Sequence, residues 1–261
     1  MLVIGYSWHD FEPNLLLRDE STKTLSLRTL PLRGVFNIEI LPQRQCIGSF
    51  SPKGERLYCK NPVDERRVQC IECEKKDAFL PCVKCHGDNC AGGKEAREFC
   101  EKEKFNVYLA LFGGVVKVGV SNEKRLYERL LEQGADIGAK IAEGNGKICR
   151  QIEKKISNAG IKDMVGYQTK IMALNRVHSE MLAQAHEFLK KSMPEHILSS
   201  IKILDFQKHY PKIEKSPIYL HIAPMHLSEK IIGAKGQLLF FESGKVINMK
   251  KLVARKINVQ L

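Results

Sequence analysis

No uncharged apolar run in this 261-residue chain approaches the roughly 20 residues needed to cross a bilayer. The longest candidate, Val107 to Val120, is interrupted by Lys117. The N-terminus, MLVIGYSWHDFEP, has neither a basic start nor a long apolar stretch, so no secretory signal is expected. The nine cysteines are an odd number, and without a secretion signal they argue against a disulfide framework. There is no internal repeat and no low-complexity tract. These absences point to a cytoplasmic protein. Its apolar and charged fractions, 43% and 28%, are those of an ordinary globular chain. Its length suffices for one large core or two or three small units.

The net charge is +12, unevenly placed. Residues 1–45 carry five basic and five acidic side chains, and residues 46–104 carry 12 and 11. Residues 105–261 carry 25 and 14, a net of +11. A one-sided basic segment favours polyanions such as nucleic acid or an anionic membrane. A solvated lysine-rich face explains the charge alone equally well. The partner expected is nucleic acid, either DNA or structured RNA, with no membrane; protein partners stay open.

Residues 1–45 read as short strands, LVIGY, LLLR, TLSLRTL and VFNIEIL, parted by turn-prone stretches such as DESTKT and PLRG. Residues 46–104 are rich in cysteine and charge and poor in large apolar side chains, so they need a metal to hold together. Residues 105–165 look α/β. A long helix is expected from about Tyr167 to Lys191, with Ile171, Leu174, Val177, Met181, Ala185 and Phe188 as its apolar stripe and Pro194 as its stop. The end of the chain returns to strands, with GQLLFFESGKVINM a hairpin turned at Ser243-Gly244 and KINVQL the last strand. The expected division is a small β unit from residues 1–45 plus 215–261, a cysteine module over 46–104, and an α/β core over 105–214. Neither terminal segment has enough strands alone to close a core.

The stretch CIECEKKDAFLPCVKCHGDNC contains two Cys-x2-Cys knuckles, Cys70/Cys73 and Cys82/Cys85, separated by eight residues. Each knuckle points two thiolates the same way, and two facing knuckles complete a tetrahedron of sulfurs suited to Zn²⁺. Cys46, Cys59, His86, Cys90 and Cys100 remain and can supply a second four-ligand site, for example Cys46, Cys59, Cys90 and Cys100, unless the pairs are exchanged between two sites; the spacing does not settle the partition. One or two structural zinc ions are expected. An iron–sulfur cluster is the alternative. Four sulfurs leave no open position for substrate, so the metal is read as structural. His86 reads as a surface histidine after a knuckle, and Cys149 as a small core residue.

VYLALFGGVVKVGVSNEKRLYERLLEQGA spans Val107 to Ala135. Two apolar strands meet at Gly113-Gly114, whose positive dihedrals suit a two-residue hairpin turn. Ser121 or Asn122 caps a helix carrying Arg125 and Arg129, and Gly134 stops it. A second helix, about Lys147 to Ser157, has Ile148, Cys149, Ile152 and Ile156 on its apolar stripe. Glu153 lies at the edge of that stripe, half-buried, with Lys147, Arg150, Lys154 and Lys155 around it.

From about Asn106 to Val165 the chain resembles the core of the GIY-YIG nucleases. NVY stands for the first motif, so Tyr108 matches its tyrosine. KVG stands for the second, so Gly119 matches its glycine and Lys117 occupies the place of the usual tyrosine. Arg129 best matches the helix arginine, with Arg125 the substitute, and Glu153 matches the metal-binding glutamate. Asn106 replaces the first glycine. More widely, CIGSF, the cysteine cluster, KVGVSNEKRLYERLLEQGA and GAKGQLLFF together resemble an uncharacterised prokaryotic family of unknown function, which supplies an architecture but no reaction.

The fold class expected is therefore α+β, with a GIY-YIG-like α/β core, an inserted zinc module and a small β unit from both termini. The resemblance implies Mg²⁺ on Glu153, Arg129 neutralising the phosphate, Tyr108 orienting or deprotonating water, and Lys117 hydrogen-bonding or gripping phosphate. Arg125, Lys147, Arg150 and Lys154 are the expected nucleic-acid contacts. Three functions stay open: a metal-dependent nuclease, a non-catalytic DNA- or RNA-binding module, and a protein-interaction scaffold.

Overall fold

The computed structural model describes residues 1–19, 26–83, 85–174, 176–214 and 216–259. In chain order its strands are β1 (Leu2–His9), β2 (Glu12–Asp19), β3 (Ser26–Pro31), β4 (Val35–Arg44), β5 (Ser49–Phe50), β6 (Arg56–Leu57), β7 (Lys104–Phe112), β8 (Val115–Asn122), β9 (Ile137–Asn145), β10 (Ile203–Asp205), β11 (Ile218–Tyr219), β12 (Met225–Lys235), β13 (Leu238–Phe241), β14 (Lys245–Asn248) and β15 (Arg255–Val259). The helices are α1 (Ile71–Lys76), α2 (Leu80–Val83), α3 (Lys94–Lys102), α4 (Leu126–Gln133), α5 (Gly146–Asn158), α6 (Tyr167–Met172) and α7 (Glu180–Ser192). No described helix is long and apolar enough to cross a membrane.

This α+β chain forms two compact units, residues 1–80 with 214–261 and residues 81–213. The cysteine-rich stretch, expected as one inserted module, is shared between them. In the first unit a nine-stranded sheet has the order β11-β14-β13-β12-β4-β15-β1-β2-β3. The two ends of the chain lie side by side, with Leu2 paired to Lys256. On β4, Phe36, Ile38 and Ile40 are buried and alternate with less buried neighbours, the period-two pattern of a strand with one face inward. The hairpin of β13 and β14 turns through Gly244 at φ +82°. The DESTKT turn from Glu20 on, and Gln260–Leu261 of the last expected strand, lie outside the described residues.

The second unit is a four-stranded sheet, β10-β9-β7-β8. Val107, Leu109 and Leu111 of β7 join Cys149, Ile152 and Ile156 of α5 and Leu182 and Leu189 of α7 in one buried cluster. Alternation along the strand turns Tyr108 the other way. The turn between β7 and β8 uses a left-handed backbone only at Gly113, φ +64°; Gly114 does not share it. Asn122 Oδ1 accepts from the Lys124 amide at 3.0 Å and caps a short 3-10 turn, Glu123–Arg125, that leads into α4. Gly134, φ +74°, ends α4 as the spacing predicts.

Two helical expectations are corrected. The single helix over 167–191 is two, α6 and α7. Between them the chain packs on the hairpin turn: the His178 amide donates to the Gly113 carbonyl at 3.0 Å, and a Cβ on Gly113 would collide with Ala173. Closing over that turn interrupts the helix and shifts the buried face of α7 to Leu182, His186 and Leu189, leaving Met181 and Phe188 exposed. On α5, Ile148 is exposed, and Gly146, Cys149, Ile152 and Ile156 are the buried positions. The helix begins earlier than expected because the Asn145 side chain accepts from the Ile148 amide and caps it.

Candidate functional site

In the first unit the sulfurs of Cys46, Cys59, Cys70 and Cys73 all lie within 4.8 Å of one another. A tetrahedron with metal–sulfur bonds of about 2.3 Å has sulfur–sulfur edges of about 3.8 Å. The Cys59 and Cys70 sulfurs are 3.8 Å apart. The group can therefore hold a metal such as zinc. Of the partitions that the spacing left open, an exchanged one is formed here: the Cys70/Cys73 knuckle faces Cys46 and Cys59, not Cys82 and Cys85. Spacing makes a knuckle, but tertiary packing chooses what it faces.

Backbone donors are aimed at these sulfurs. Cys46 Sγ accepts from the amides of Gly48 at 3.4 Å and Cys70 at 3.2 Å, and Cys59 Sγ accepts from the Asn61 amide at 3.4 Å. Such donors stabilise thiolates. At Cys70, burial alone would raise the thiol, but the Cys73 amide, the Asn61 side chain and the neighbouring cysteines bring it down to about 7. Burial pushes the Cys46 and Cys73 thiols up. A cation bound by the sulfurs removes that penalty. Gly48 makes the turn feasible: its φ is +87°, and a Cβ there would run into the Leu57 carbonyl. Arg18, buried, donates to the carbonyls of Cys46 at 3.3 Å and Cys59 at 3.1 Å and lies over the Tyr58 ring. Its charge would offset the net negative charge of four thiolates around a divalent ion.

In the second unit Tyr108 sits opposite Gly119 on the β7–β8 hairpin. A Cβ at 119 would collide with the tyrosine ring and hydroxyl, so the glycine is there to admit the ring. Gln133 Nε2 donates to Tyr108 Oη at 2.5 Å. Burial raises the Tyr108 pKa above its ordinary value; Arg129 and the Gln133 hydrogen bond oppose this, and Glu153 adds to it. Arg129 thus stands beside Tyr108, and it also pairs with Glu132 at 3.5 Å. Arg125, exposed at the end of the 3-10 turn before α4, pairs with the same Glu132 at 2.9 Å.

Glu153 is on α5, beside the buried Cys149, Ile152 and Ile156. Burial raises its carboxyl pKa, and so does Asp163; Arg150, Lys117 and His86 pull it down. Its carboxylate has no hydrogen bond or ion pair among the described residues. Lys117 on the edge strand β8 faces residue 162, which bridges to it in parallel. Lys147 and Lys154 are exposed on α5. Arg150, half-buried, lies near Glu153 and also beside the Cys100 thiol, whose pKa burial raises and Arg150 lowers.

Residues 36–257 match a family described as a protein of unknown function (DUF2797). The chain belongs to that family. No curated protein and no solved structure matches the chain. In this DUF2797 protein Cys82, Cys85, Cys90 and Cys100 fall in the second unit, around α3 and the start of α5. Cys149 is a core residue, fully buried, its thiol donating to the Phe105 carbonyl at 3.3 Å. Burial, with Cys100 adding, pushes it up to about 12.

The residues that sequence reading missed are second partners of the ones it found. Gln133 is one helical turn from Arg129 in YERLLEQ and therefore shares its face, a legible signal. Asp77 precedes AFLPC as a helix cap: its carboxylate accepts from the amides of Phe79 and Leu80 and also from Phe50. Arg18 carried no local signal, because the carbonyls it holds are 28 and 41 residues away. Asp163 and His86 flank Glu153 only through the fold.

Proposed function

We propose that this DUF2797 protein is a zinc-stabilised nucleic-acid-binding protein whose second unit is GIY-YIG-like and cuts a phosphodiester with one divalent ion on Glu153. The observation that carries the reading is the Glu153 carboxylate. It is half-buried at a cost, takes no hydrogen bond from the described residues, and is set among Arg150, Lys117 and His86. A carboxylate held in that way is complementary to a hard cation, and the surrounding positive charge is complementary to phosphate. Asp163, close enough to raise Glu153, is a second oxygen donor. A divalent ion bound there supplies Lewis-acid polarisation of the phosphate. Arg129 neutralises charge developing on the phosphate, and Lys117 with exposed Lys147 and Lys154 grips the flanking backbone. The four-sulfur group of the first unit takes zinc, for which it has the right donors and edge length.

A second reading, binding without cleavage, is favoured by Tyr108. It is 1% exposed, hydrogen-bonded to Gln133 and raised in pKa, so it is poorly placed to take a proton from water.

One experiment separates these readings. Wild type and Glu153→Ala are incubated with single-stranded, duplex and branched DNA and with structured RNA, in Mg²⁺ or Mn²⁺, and scored for cleavage and for binding. Cleavage lost in the variant while binding persists is the expected result. Binding without cleavage by either protein leaves the second reading standing. No binding to any of these at low salt refutes both.

A further inference from the structure

We propose that Cys82, Cys85, Cys90 and Cys100 hold a second zinc ion, and that this ion clamps the first turn of α5 to the cysteine loop.

The argument rests on three features in which this quartet repeats the Cys46/Cys59/Cys70/Cys73 group. First, the turn is the same. In Cys85-His-Gly87 the Gly87 amide donates to Cys85 Sγ at 3.4 Å with φ +88°. In Cys46-Ile-Gly48 the corresponding values are 3.4 Å and +87°. A left-handed glycine two residues after a cysteine turns its N–H back onto the sulfur, which favours the thiolate that a metal needs. Second, each group includes a Cys-x2-Cys knuckle, Cys70/Cys73 in one and Cys82/Cys85 in the other; the Cys85 amide meets the Cys82 carbonyl at 3.4 Å. Third, each has an arginine on the carbonyls of its ligand loop. Arg18 holds Cys46 and Cys59, and Arg97 of α3 donates to the carbonyls of Gly92 at 2.9 Å and Cys90 at 3.3 Å.

Two of the four sulfurs share one neighbourhood. Cys90 Sγ and Cys82 Sγ lie 3.4 and 3.7 Å from one point, the position a Cβ would take on Gly92. Four half-buried cysteines gathered on α2, α3 and the loop between them are stabilised together as thiolates by one divalent cation.

The quartet is built against α5. Gly146, its first residue, has no room for a side chain because Cys100 Sγ would lie 2.5 Å from its Cβ. A Cβ on Gly87 would lie 2.6 Å from the Lys147 carbonyl, and Asp88 accepts from Gln151 at 3.1 Å. Arg150 reaches from Cys100 toward Glu153. Metal loading therefore fixes the helix that carries Glu153. That consequence for the site rests on the phosphodiester reading; the metal does not.

The test is metal content by mass spectrometry on the purified full chain, with hydrogen exchange as a second readout. Wild type should carry two zinc ions per chain. Cys85→Ser/Cys90→Ser should carry one, and Cys46→Ser/Cys59→Ser should lose the other. Exchange at Gly146–Gln151 should rise at least tenfold in Cys85→Ser/Cys90→Ser, with β4 and β15 unchanged. Where a variant does not fold, alkylation of wild type decides: Cys82, Cys85, Cys90 and Cys100 should be protected with zinc and react after chelation. One zinc per wild-type chain, two in Cys85→Ser/Cys90→Ser, or alkylation of these four at full rate with zinc present would overturn the proposal. None of these readouts involves nucleic acid, so a failed cleavage assay leaves this proposal untouched, and the reverse also holds.

Discussion

Gly119→Ala should disable the second unit through a single methyl group. The new Cβ would overlap Tyr108 Oη and Cζ and lie 3.0 Å from Cε2. The ring has nowhere to go: Tyr108 is 1% exposed, and its hydroxyl is held by Gln133, which is itself buried. Overpacking a well-filled core costs about 1–3 kcal/mol. If the ring swings away, a buried hydrogen bond is lost at about 1 kcal/mol more. The expected loss is about 2–4 kcal/mol, a roughly 30- to 700-fold shift at 1.4 kcal/mol per factor of ten. Hydrogen exchange of the β7 and β8 amides measures this locally, because their slowest exchange reports opening of the sheet they share. The double variant Gly119→Ala/Tyr108→Leu should recover part of the loss, since a smaller side chain leaves space for the methyl. If Gly119→Ala exchanges within threefold of wild type, the close approach of ring and glycine is not what this position is for.

Three further outcomes are expected. Cys46→Ser should remove one equivalent of bound metal, read by mass spectrometry, because it breaks a four-sulfur set and orphans the amides of Gly48 and Cys70; an unchanged metal count would contradict the assignment. Leu130→Ala should cost about 2–5 kcal/mol in urea unfolding, since Leu130 is fully buried and its methyls fill the space above Gly138; a cost under 1 kcal/mol would mean the site collapses freely. Glu153→Gln should be more stable than wild type at pH 7 in Mg²⁺-free buffer. Burial raises the folded carboxyl above its ordinary 4.5, so the folded chain binds the proton more tightly and wild-type stability falls as pH rises from there through the raised value. The difference should vanish well below pH 4.5, and a variant less stable than wild type at pH 7 would refute the sign.

What the sequence by itself determined is what local chemistry controls. Strand alternation in VFNIEIL, the glycine stop at Gly134, the Gly244 hairpin and the Cys70/Cys73 knuckle each depend on a few neighbouring residues. Cys149 was legible as core for the same reason. The α6–α7 break was not, because its cause is a long-range contact: Ala173 and His178 close over Gly113, some 60 residues earlier in the chain. Nor was the pairing of knuckles. Eight cysteines can be grouped in several ways with identical spacing, and only the fold brings Cys46 and Cys59 to Cys70 and Cys73. Arg150 shows the limit most plainly. A helix wheel places it beside Glu153, where it is, but only the packing of Cys100 on Gly146 adds a thiol as its second neighbour. A side chain's role depends on what is packed against it, and for Arg150 that neighbour is 50 residues away.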